Sequence, residues 1–147
     1  MEEIGFQPTK SLGQNFLIDG NILRIIIEAA DVREGETVLE IGAGMGVLTE
    51  GLLEAGANVI AVEKDAKLAA FLKQRFSHRK KLTLIAGDAL ALDFPFSTLD
   101  FKLIANLPYS ISTAILKQFV ESANPPGKMV LMLQREVGER LDRKSVV

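Results

Sequence analysis

The sequence TVLEIGAGMG at residues 37–46 joins a short apolar run to a glycine-rich loop, and this stretch decides the fold class. Residues 37–41 have the length and composition of a buried strand, and the segment after the loop has the pattern of a helix that Gly56 ends. A strand, a glycine loop and a helix in this order form the first half of a βαβ unit. The stretch therefore predicts a sheet whose strands run parallel.

The rest of the chain repeats this alternation. Asp19 or Asn21 is expected to cap a first helix that runs through Ala30. Further helices are predicted at 47–55, 65–76, 112–121 and 135–141, and strands at 37–41, 58–62, 82–86, 101–105 and 128–133. This order predicts an α/β fold with a mostly parallel sheet and ligands at the carboxyl ends of the strands.

The composition limits the classes of function. The chain has 147 residues, a length that fits one domain, and with no cysteine and one histidine it offers neither a disulfide nor a thiolate or histidine metal site. No apolar run is long enough to span a membrane, and residues 1–10 lack the core of a signal peptide. We therefore expect a cytoplasmic protein that needs no metal and contacts no membrane.

The charge is unevenly distributed along the chain. A net charge of −2 argues against a wholly cationic nucleic-acid binder. Residues 66–87 nevertheless contain no acid, and their cations are Lys67, Lys73, Arg75, Arg79, Lys80 and Lys81. A second basic cluster, at residues 135–144, is diluted by acids. Such clusters are either solvated helix faces or phosphate contacts, and both interpretations stay open.

Polar residues collect where four of the predicted strands end. They are Glu40, Glu63, Asp88 and Asn106. Gly42 and Gly44 allow a tight turn and the close approach of a ligand to the backbone. Glu63 follows Gly44 by 19 residues, which is the spacing of an acid that binds a ribose diol. The pattern fits a cofactor that carries a nucleoside.

Two features separate the nucleoside cofactors. A dinucleotide fingerprint would place its third glycine at the position of Val47, whereas Gly46 comes one residue earlier. Glu40, Glu63 and Asp88 would repel a pyrophosphate, but they suit a ligand that carries an ammonium and a sulfonium. The sequence therefore predicts binding of S-adenosylmethionine, and a dehydrogenase-type dinucleotide domain is the disfavoured alternative.

Asn106-Leu107-Pro108-Tyr109, here called the acceptor motif, follows the fourth apolar run and describes a site for an exocyclic amine. An amide oxygen, a carbonyl held extended by the following proline, and an aromatic ring can hold a flat base and accept hydrogen bonds from its NH₂ group. An ordinary strand-to-helix turn with a packed tyrosine is the alternative. The tetrapeptide alone does not decide between the two.

Six motifs, in this order, resemble the ribosomal RNA adenine N6,N6-dimethyltransferases. They are KSLGQNFL at 10–17, EIGAGMG at 40–46, EKD at 63–65, GDA at 87–89, NLPY at 106–109 and QREV at 134–137. The LGQNFL form is more similar to the enzymes of the small ribosomal subunit than to the macrolide-resistance methylases. The resemblance covers essentially the whole chain. It implies a Rossmann-like methyltransferase that transfers two methyl groups from S-adenosylmethionine to N6 of each target adenosine in ribosomal RNA.

The resemblance also implies which residues bind the cofactor. They are Gln14, Asn15, Leu17, Gly42, Ala43, Gly44, Glu63, Lys64, Asp88, Ala89 and Asn106. The N-terminal three would close over the methionine part, and the glycines would allow the backbone to approach. Glu63 would hold the ribose hydroxyls, Lys64 would lie along the adenine ring, and Asp88 would accept a hydrogen bond from the adenine N6.

In the acceptor motif the resemblance implies catalytic roles for Asn106, Leu107, Pro108 and Tyr109. The Asn106 side chain and the Leu107 carbonyl would accept hydrogen bonds from the target amine, and Tyr109 would stack on the target base.

Members of this family continue with two more strands and a small helical domain that binds RNA. The resemblance therefore implies a methyltransferase domain over residues 1–147 that stops after about five strands. The fifth strand would then be an exposed sheet edge, which favours dimerisation or aggregation. The second hypothesis is a fragment that binds the cofactor and RNA without catalysis, or an assembly factor.

Overall fold

A computed structural model describes residues 19–92, 100–107 and 109–132, and for Tyr109 it describes the backbone alone. In chain order the elements are α1 (Gly20–Ala30), β1 (Thr37–Ile41), α2 (Val47–Glu54), β2 (Asn58–Glu63), α3 (Ala66–Arg75), β3 (Leu82–Ala86), β4 (Lys102–Asn106), α4 (Tyr109–Val120) and β5 (Lys128–Met132). Of these four helices, none has the length and apolar character needed to cross a membrane.

The five described strands form one parallel sheet in the order β3-β2-β1-β4-β5. The strand order reverses between β1 and β4, which is the switch point of a doubly wound sheet. Ile41 at the end of β1 pairs with Val62 on one side and with Ala105 on the other. The predicted fold class is confirmed, and the polar residues that follow these strands meet at one edge of the sheet.

Both faces of the sheet are covered, as expected for parallel strands. On one face Val38 and Ile104 pack in a core that includes residues of α1, α2 and α3. On the other face Phe119 of α4 packs with Leu103, and its ring meets that of Phe101 edge-on with the centroids 6.1 Å apart. The loops at the carboxyl edge therefore stand on a sheet that is packed from both sides.

Several element bounds differ from the predicted ones, all by a single residue except the start of α4. β2 and β4 each end one residue later, at Glu63 and Asn106, because these residues still pair with a neighbouring strand. α4 begins at Tyr109 and not at residue 112, since Ile111 already packs against the core. The predicted helix at 135–141 lies outside the described residues, as does the last residue of the predicted fifth strand.

Two lysines hold the C-terminal end of α1 on the sheet. The Lys102 ammonium donates hydrogen bonds to the carbonyl oxygens of Ala30 at 2.8 Å and Asp31 at 2.6 Å. Lys128 donates to the Ala29 carbonyl at 3.2 Å. The last carbonyls of a helix have no partners within the helix, and cations complement its dipole there. These contacts fasten α1 to β4 and β5.

Candidate active site

The loop between β1 and α2 contains three glycines in the left-handed region. The φ angles of Gly42, Gly44 and Gly46 are 83°, 62° and 93°, where a residue with a Cβ is strained. A Cβ on Gly46 would lie 2.8 Å from Phe76 and 2.9 Å from Leu72, so this glycine lets the loop pack against α3. Among the described residues, the nearest atom to a Cβ on Gly44 would be the Gly42 carbonyl oxygen, at 4.0 Å. The open space for a ligand therefore lies at Gly44.

Gly42 faces the end of β4. A Cβ at this position would lie 2.8 Å from the Asn106 carbonyl oxygen and 2.8 Å from a methyl group of Leu107. The sequence interpretation assigned Gly42 to the approach of a ligand. The structure adds a packing reason for a glycine here, since only a residue without a side chain lets the loop and the acceptor motif touch.

Glu63 connects the end of β2 to the glycine loop. Its Oε1 accepts a hydrogen bond from the Gly44 N–H at 2.8 Å, and its Oε2 accepts one from the Asp65 N–H at 2.9 Å. Burial raises the pKa of the Glu63 carboxyl above its ordinary value, and these two N–H groups oppose the rise. Each carboxylate oxygen still has a lone pair for a further donor. Glu63 thus shapes the loop and keeps acceptors beside the open space at Gly44.

Lys64 and Asp88 lie beside each other at the ends of β2 and β3. The Lys64 ammonium is 3.7 Å from Asp88 Oδ2, and both side chains are exposed to solvent. Asp88 Oδ1 accepts a hydrogen bond from the Leu90 N–H at 3.0 Å, which orients the carboxylate. Ala89, which follows Asp88 in the sequence, is buried in the core that also contains residues of α4. The carboxylate of Asp88 therefore stands at the mouth of the site with lone pairs available to a donor.

The acceptor motif begins where β4 ends. Asn106 is half-buried, and its side chain makes no hydrogen bond to another described residue. The Leu107 carbonyl oxygen accepts a hydrogen bond from the hydroxyl of Ser112, in the first turns of α4, at 3.1 Å. Pro108 and the side chain of Tyr109 lie outside the described residues, as do Gln14, Asn15 and Leu17. The predicted stacking and closing roles of these five residues stay predictions.

Contacts between neighbouring strand ends bring the other predicted residues together. The Gly44 N–H reaches Glu63 in β2, and the Glu63 carbonyl accepts from the Gly87 N–H at 2.9 Å, next to Asp88. On the opposite side, Gly42 touches the end of β4. The result is one continuous edge from β3 to β4. It carries Gly42, Ala43, Gly44, Glu63, Lys64, Asp88, Ala89, Asn106 and Leu107.

Glu40 does not belong to this edge as a charged group. Glu40 is 2% exposed, and its Oε1 accepts a hydrogen bond from the Thr49 hydroxyl of α2 at 2.6 Å. Burial raises the pKa of the Glu40 carboxyl to about 8. The sequence interpretation counted Glu40 among three charges that face a ligand. That interpretation is wrong, because the Glu40 carboxyl is buried against α2, and with a pKa of about 8 it is largely neutral near pH 7.

Replacing Glu40 by glutamine is expected to flatten the pH dependence of stability. The folded chain keeps the Glu40 proton up to about pH 8, whereas an ordinary carboxyl releases it near 4.5. The stability that depends on this proton is complete below about pH 4.5 and declines as the pH rises through 8. Glutamine has no such proton to lose, and its oxygen still accepts from Thr49.

Urea denaturation of both proteins from about pH 5 to about pH 8 checks this expectation. The free energy of unfolding should fall less with rising pH in Glu40→Gln than in the wild type. Parallel pH profiles would contradict the buried neutral state of Glu40.

Arg75 supports the glycine loop and was missed by sequence reasoning, which grouped it with exposed cations. Its guanidinium donates to the Met45 carbonyl oxygen at 2.6 Å and forms an ion pair with Glu50 of α2. The same group lies over the ring of Phe76, 4.9 Å from its centroid. No local pattern pairs residues 30 positions apart, so only the packing of α3 on the loop reveals this contact.

Comparison with known proteins decides the family. Residues 5–145 match the family described as ribosomal RNA adenine dimethylase. The chain belongs to this family. The ribosomal RNA small subunit methyltransferase A of Opitutus terrae is 47% identical to it in an alignment of 146 positions, which covers 95% of this chain and 52% of that protein. The resemblance inferred from the six motifs is confirmed.

Two solved structures, of a dimethyladenosine transferase and of a 23S rRNA methyltransferase, share the fold. A dimethyladenosine transferase from Plasmodium falciparum is 34% identical, with a TM-score of 0.73 over 86% of this chain and 46% of that one. The 23S rRNA methyltransferase ErmE is 28% identical, with a TM-score of 0.74 over 88% of this chain and 52% of that one. The chain spans about half the length of the curated relatives it matches.

Proposed function

We propose that this chain is the core of an enzyme that transfers methyl groups from S-adenosylmethionine to N6 of adenosines in small-subunit ribosomal RNA. The observation that carries the proposal is the contact between Glu63 and Gly44. It places a carboxylate beside Gly44, whose Cβ position meets no described residue closer than 4.0 Å. This arrangement lies next to the acceptor motif, which offers hydrogen-bond acceptors to an amine. A site for the methyl donor and a site for the amine that receives the methyl group would therefore share one edge of the sheet.

The described residues fit the nucleoside part of S-adenosylmethionine. Glu63 offers carboxylate oxygens to the two ribose hydroxyls, and the open space at Gly44 admits the ligand close to the backbone. Asp88 is held by the Leu90 N–H so that it can accept from the adenine N6, and Ala89 beside it presents no bulk. Lys64 lies next to Asp88 and can extend its methylene stem along the adenine ring. In the segment before α1, Gln14, Asn15 and Leu17 would cover the methionine part.

The chemistry of the target amine explains the acceptor motif. The N6 lone pair of adenine is delocalised into the ring, which makes it a poor nucleophile. Acceptors at the NH₂ group favour a more tetrahedral nitrogen, and such bonds strengthen as the transition state is approached. Asn106 supplies a side-chain oxygen and Leu107 supplies its carbonyl. Pro108 would keep that carbonyl extended, and Tyr109 would stack on the base, which contributes about 1 to 3 kcal/mol in comparable sites.

No strong base is required on the protein. S-adenosylmethionine, when bound, supplies a methyl group on a sulfonium that departs as a neutral thioether. The methylated nitrogen is then acidic enough to release its proton to water. The chain's own contribution is to hold the methyl group and the target nitrogen in line. In well-oriented reactions such positioning lowers the activation free energy by about 7 kcal/mol or more.

We propose the small ribosomal subunit as the partner and the cytoplasm as the location, because the substrate is ribosomal RNA. Lysines and arginines on the surface near α3 would contact RNA phosphates and make binding sensitive to salt.

Calorimetric titration with S-adenosylmethionine, with NAD as the comparison ligand, tests the cofactor. A tritium methyl-transfer assay on small subunits that lack the modification tests the reaction. We expect binding of S-adenosylmethionine and not of NAD, with label in the RNA as N6-methylated adenosine. Binding of NAD alone would contradict the proposal. Binding of S-adenosylmethionine without any transfer would favour the second hypothesis, a cofactor-binding fragment or assembly factor.

A further inference from the structure

We infer that Ser112 is a positioning residue for the reaction: its hydroxyl orients the Leu107 carbonyl so that one lone pair of that oxygen is directed at the target amine. The inference rests on the proposed function, because it assumes that the Leu107 carbonyl accepts from the N6 amine of adenosine. It assigns a role to a residue outside the six motifs.

The geometry of Ser112 supports a fixed orientation. Ser112 is 3% exposed, and its hydroxyl lies 3.1 Å from the Leu107 carbonyl oxygen. α4 carries Ser112 on the face that is packed against the sheet, between Ile111 and Ile115, which belong to the same core. A hydroxyl on a packed helical face has little freedom to turn away. The donor is therefore held in place by the fold itself.

Leu107 is restrained on a second side by the glycine loop. A methyl group of its side chain lies only 2.8 Å from the position that a Cβ on Gly42 would take. The side chain thus rests against the loop while the carbonyl is bonded to α4. These two contacts hold the carbonyl group of Leu107 between the glycine loop and α4.

The chemistry of a carbonyl oxygen makes this orientation useful. The oxygen has two lone pairs in the peptide plane, and Ser112 occupies one of them. The other is left for a donor that approaches from the open side of the site. Without Ser112 the carbonyl would turn toward whichever donor is nearest, water included. Small losses of alignment at an acceptor weaken a hydrogen bond steeply, and misplacement by about 1 Å can cost about 100-fold in rate.

The test replaces Ser112 by alanine and, as a matched control, Ser122 by alanine. Ser122 lies just after the same helix, and its hydroxyl donates to the Phe119 carbonyl at 3.0 Å. Each change therefore removes one hydrogen bond from a serine to a backbone carbonyl, but only the first is at the site. Ser112→Thr keeps the hydroxyl and should restore the wild-type behaviour.

The readout is the preference of the chain for adenosine over purine riboside, which lacks the 6-amino group. Both nucleosides are titrated by NMR in the presence of saturating S-adenosylhomocysteine, which occupies the site proposed for the cofactor's own adenosine. In Ser112→Ala the preference should fall about three- to tenfold, the value of one well-aligned hydrogen bond. Ser122→Ala and Ser112→Thr should keep it. The affinity for S-adenosylhomocysteine, measured by calorimetry, should stay unchanged in all three.

The outcomes separate this inference from the proposed function. A wild-type chain that fails to bind S-adenosylhomocysteine would overturn the proposed function. If S-adenosylhomocysteine binds, the nucleoside titrations in its presence decide the role of Ser112 alone. Equal preference for adenosine and purine riboside in the wild type would overturn the inference. So would an undiminished preference in Ser112→Ala, or an equal decrease in Ser112→Ala and Ser122→Ala.

Discussion

Replacing Asn106 by alanine is expected to lower the rate of methyl transfer by about 100- to 1,000-fold and to lower cofactor affinity far less. The Asn106 side-chain oxygen is proposed to accept from the target amine, and this bond is strongest when the nitrogen has left conjugation with the ring. The side chain makes no hydrogen bond to another described residue, so its loss should not disturb the fold.

The measurement is single-turnover transfer of a tritiated methyl group to unmodified small subunits, with the chain joined to the C-terminal half of the Opitutus terrae relative. Calorimetry on the same proteins gives the cofactor affinity. Asn58→Ala is the matched control, because Asn58 begins β2 at the opposite edge of the sheet and donates to the Gly35 carbonyl at 3.1 Å. If Asn106→Ala lost cofactor affinity and turnover to the same extent, Asn106 would be structural and the acceptor role would fail.

Features that depend on near neighbours in the chain were predictable. Asp65 was expected to cap a helix, and its Oδ1 accepts from the N–H groups of Lys67 at 2.8 Å and Leu68 at 3.0 Å. Gly56 was expected to end α2, and its φ of 93° is one that favours glycine. These signals work because the donor, the acceptor and the backbone conformation all lie within a few residues of each other.

The charge state of Glu40 was not predictable, because it depends on what covers the residue. In the sequence Glu40 precedes the glycine loop and looks like another acid of the site. In the fold its carboxyl is packed under α2 with the Thr49 hydroxyl as its partner. Since burial and not position along the chain decides the pKa, local pattern cannot separate Glu40 from Glu63.

Contacts between elements that are far apart in the chain could not be predicted from the sequence either. Arg75 looked like one of six cations on a basic surface, but its guanidinium faces the glycine loop and Glu50. Gly42 was expected to allow the approach of a ligand, but the atoms that would lie nearest to a Cβ at this position belong to the end of β4 and to Leu107. Each depends on how α3 and β4 lie against the loop, which follows from the sheet order. The phosphate contacts proposed for the remaining cations stay predictions.

The edge of the sheet at β5 illustrates the same distinction. Within the described residues β5 pairs with β4 and with no other strand. The sequence correctly predicted this strand, because its apolar run is local. Dimerisation or aggregation through its free side depends on a partner and stays a prediction, which analytical ultracentrifugation of the chain can decide.

Replacing Glu63 by alanine is expected to weaken the binding of S-adenosylhomocysteine by about 1 to 3 kcal/mol, or about 5- to 150-fold. Two losses combine. The carboxylate would no longer accept from the ribose hydroxyls, and the Gly44 N–H would lose the acceptor at 2.8 Å that holds the loop in shape. Calorimetry gives the total effect. Glu54→Ala is the matched control, because Glu54 is an exposed acid at the end of α2.

A second ligand separates these two losses. The 2′-deoxy analogue of S-adenosylhomocysteine lacks one ribose hydroxyl, so in the wild type it should bind more weakly than the parent ligand. If Glu63 bonds that hydroxyl, the difference between the two ligands should largely disappear in Glu63→Ala, as in a double-mutant cycle. If Glu63 acts only on the loop, both ligands should weaken equally and the difference should persist. Unchanged affinity for both ligands in Glu63→Ala would remove Glu63 from the site altogether, and with it the observation on which the proposed function depends.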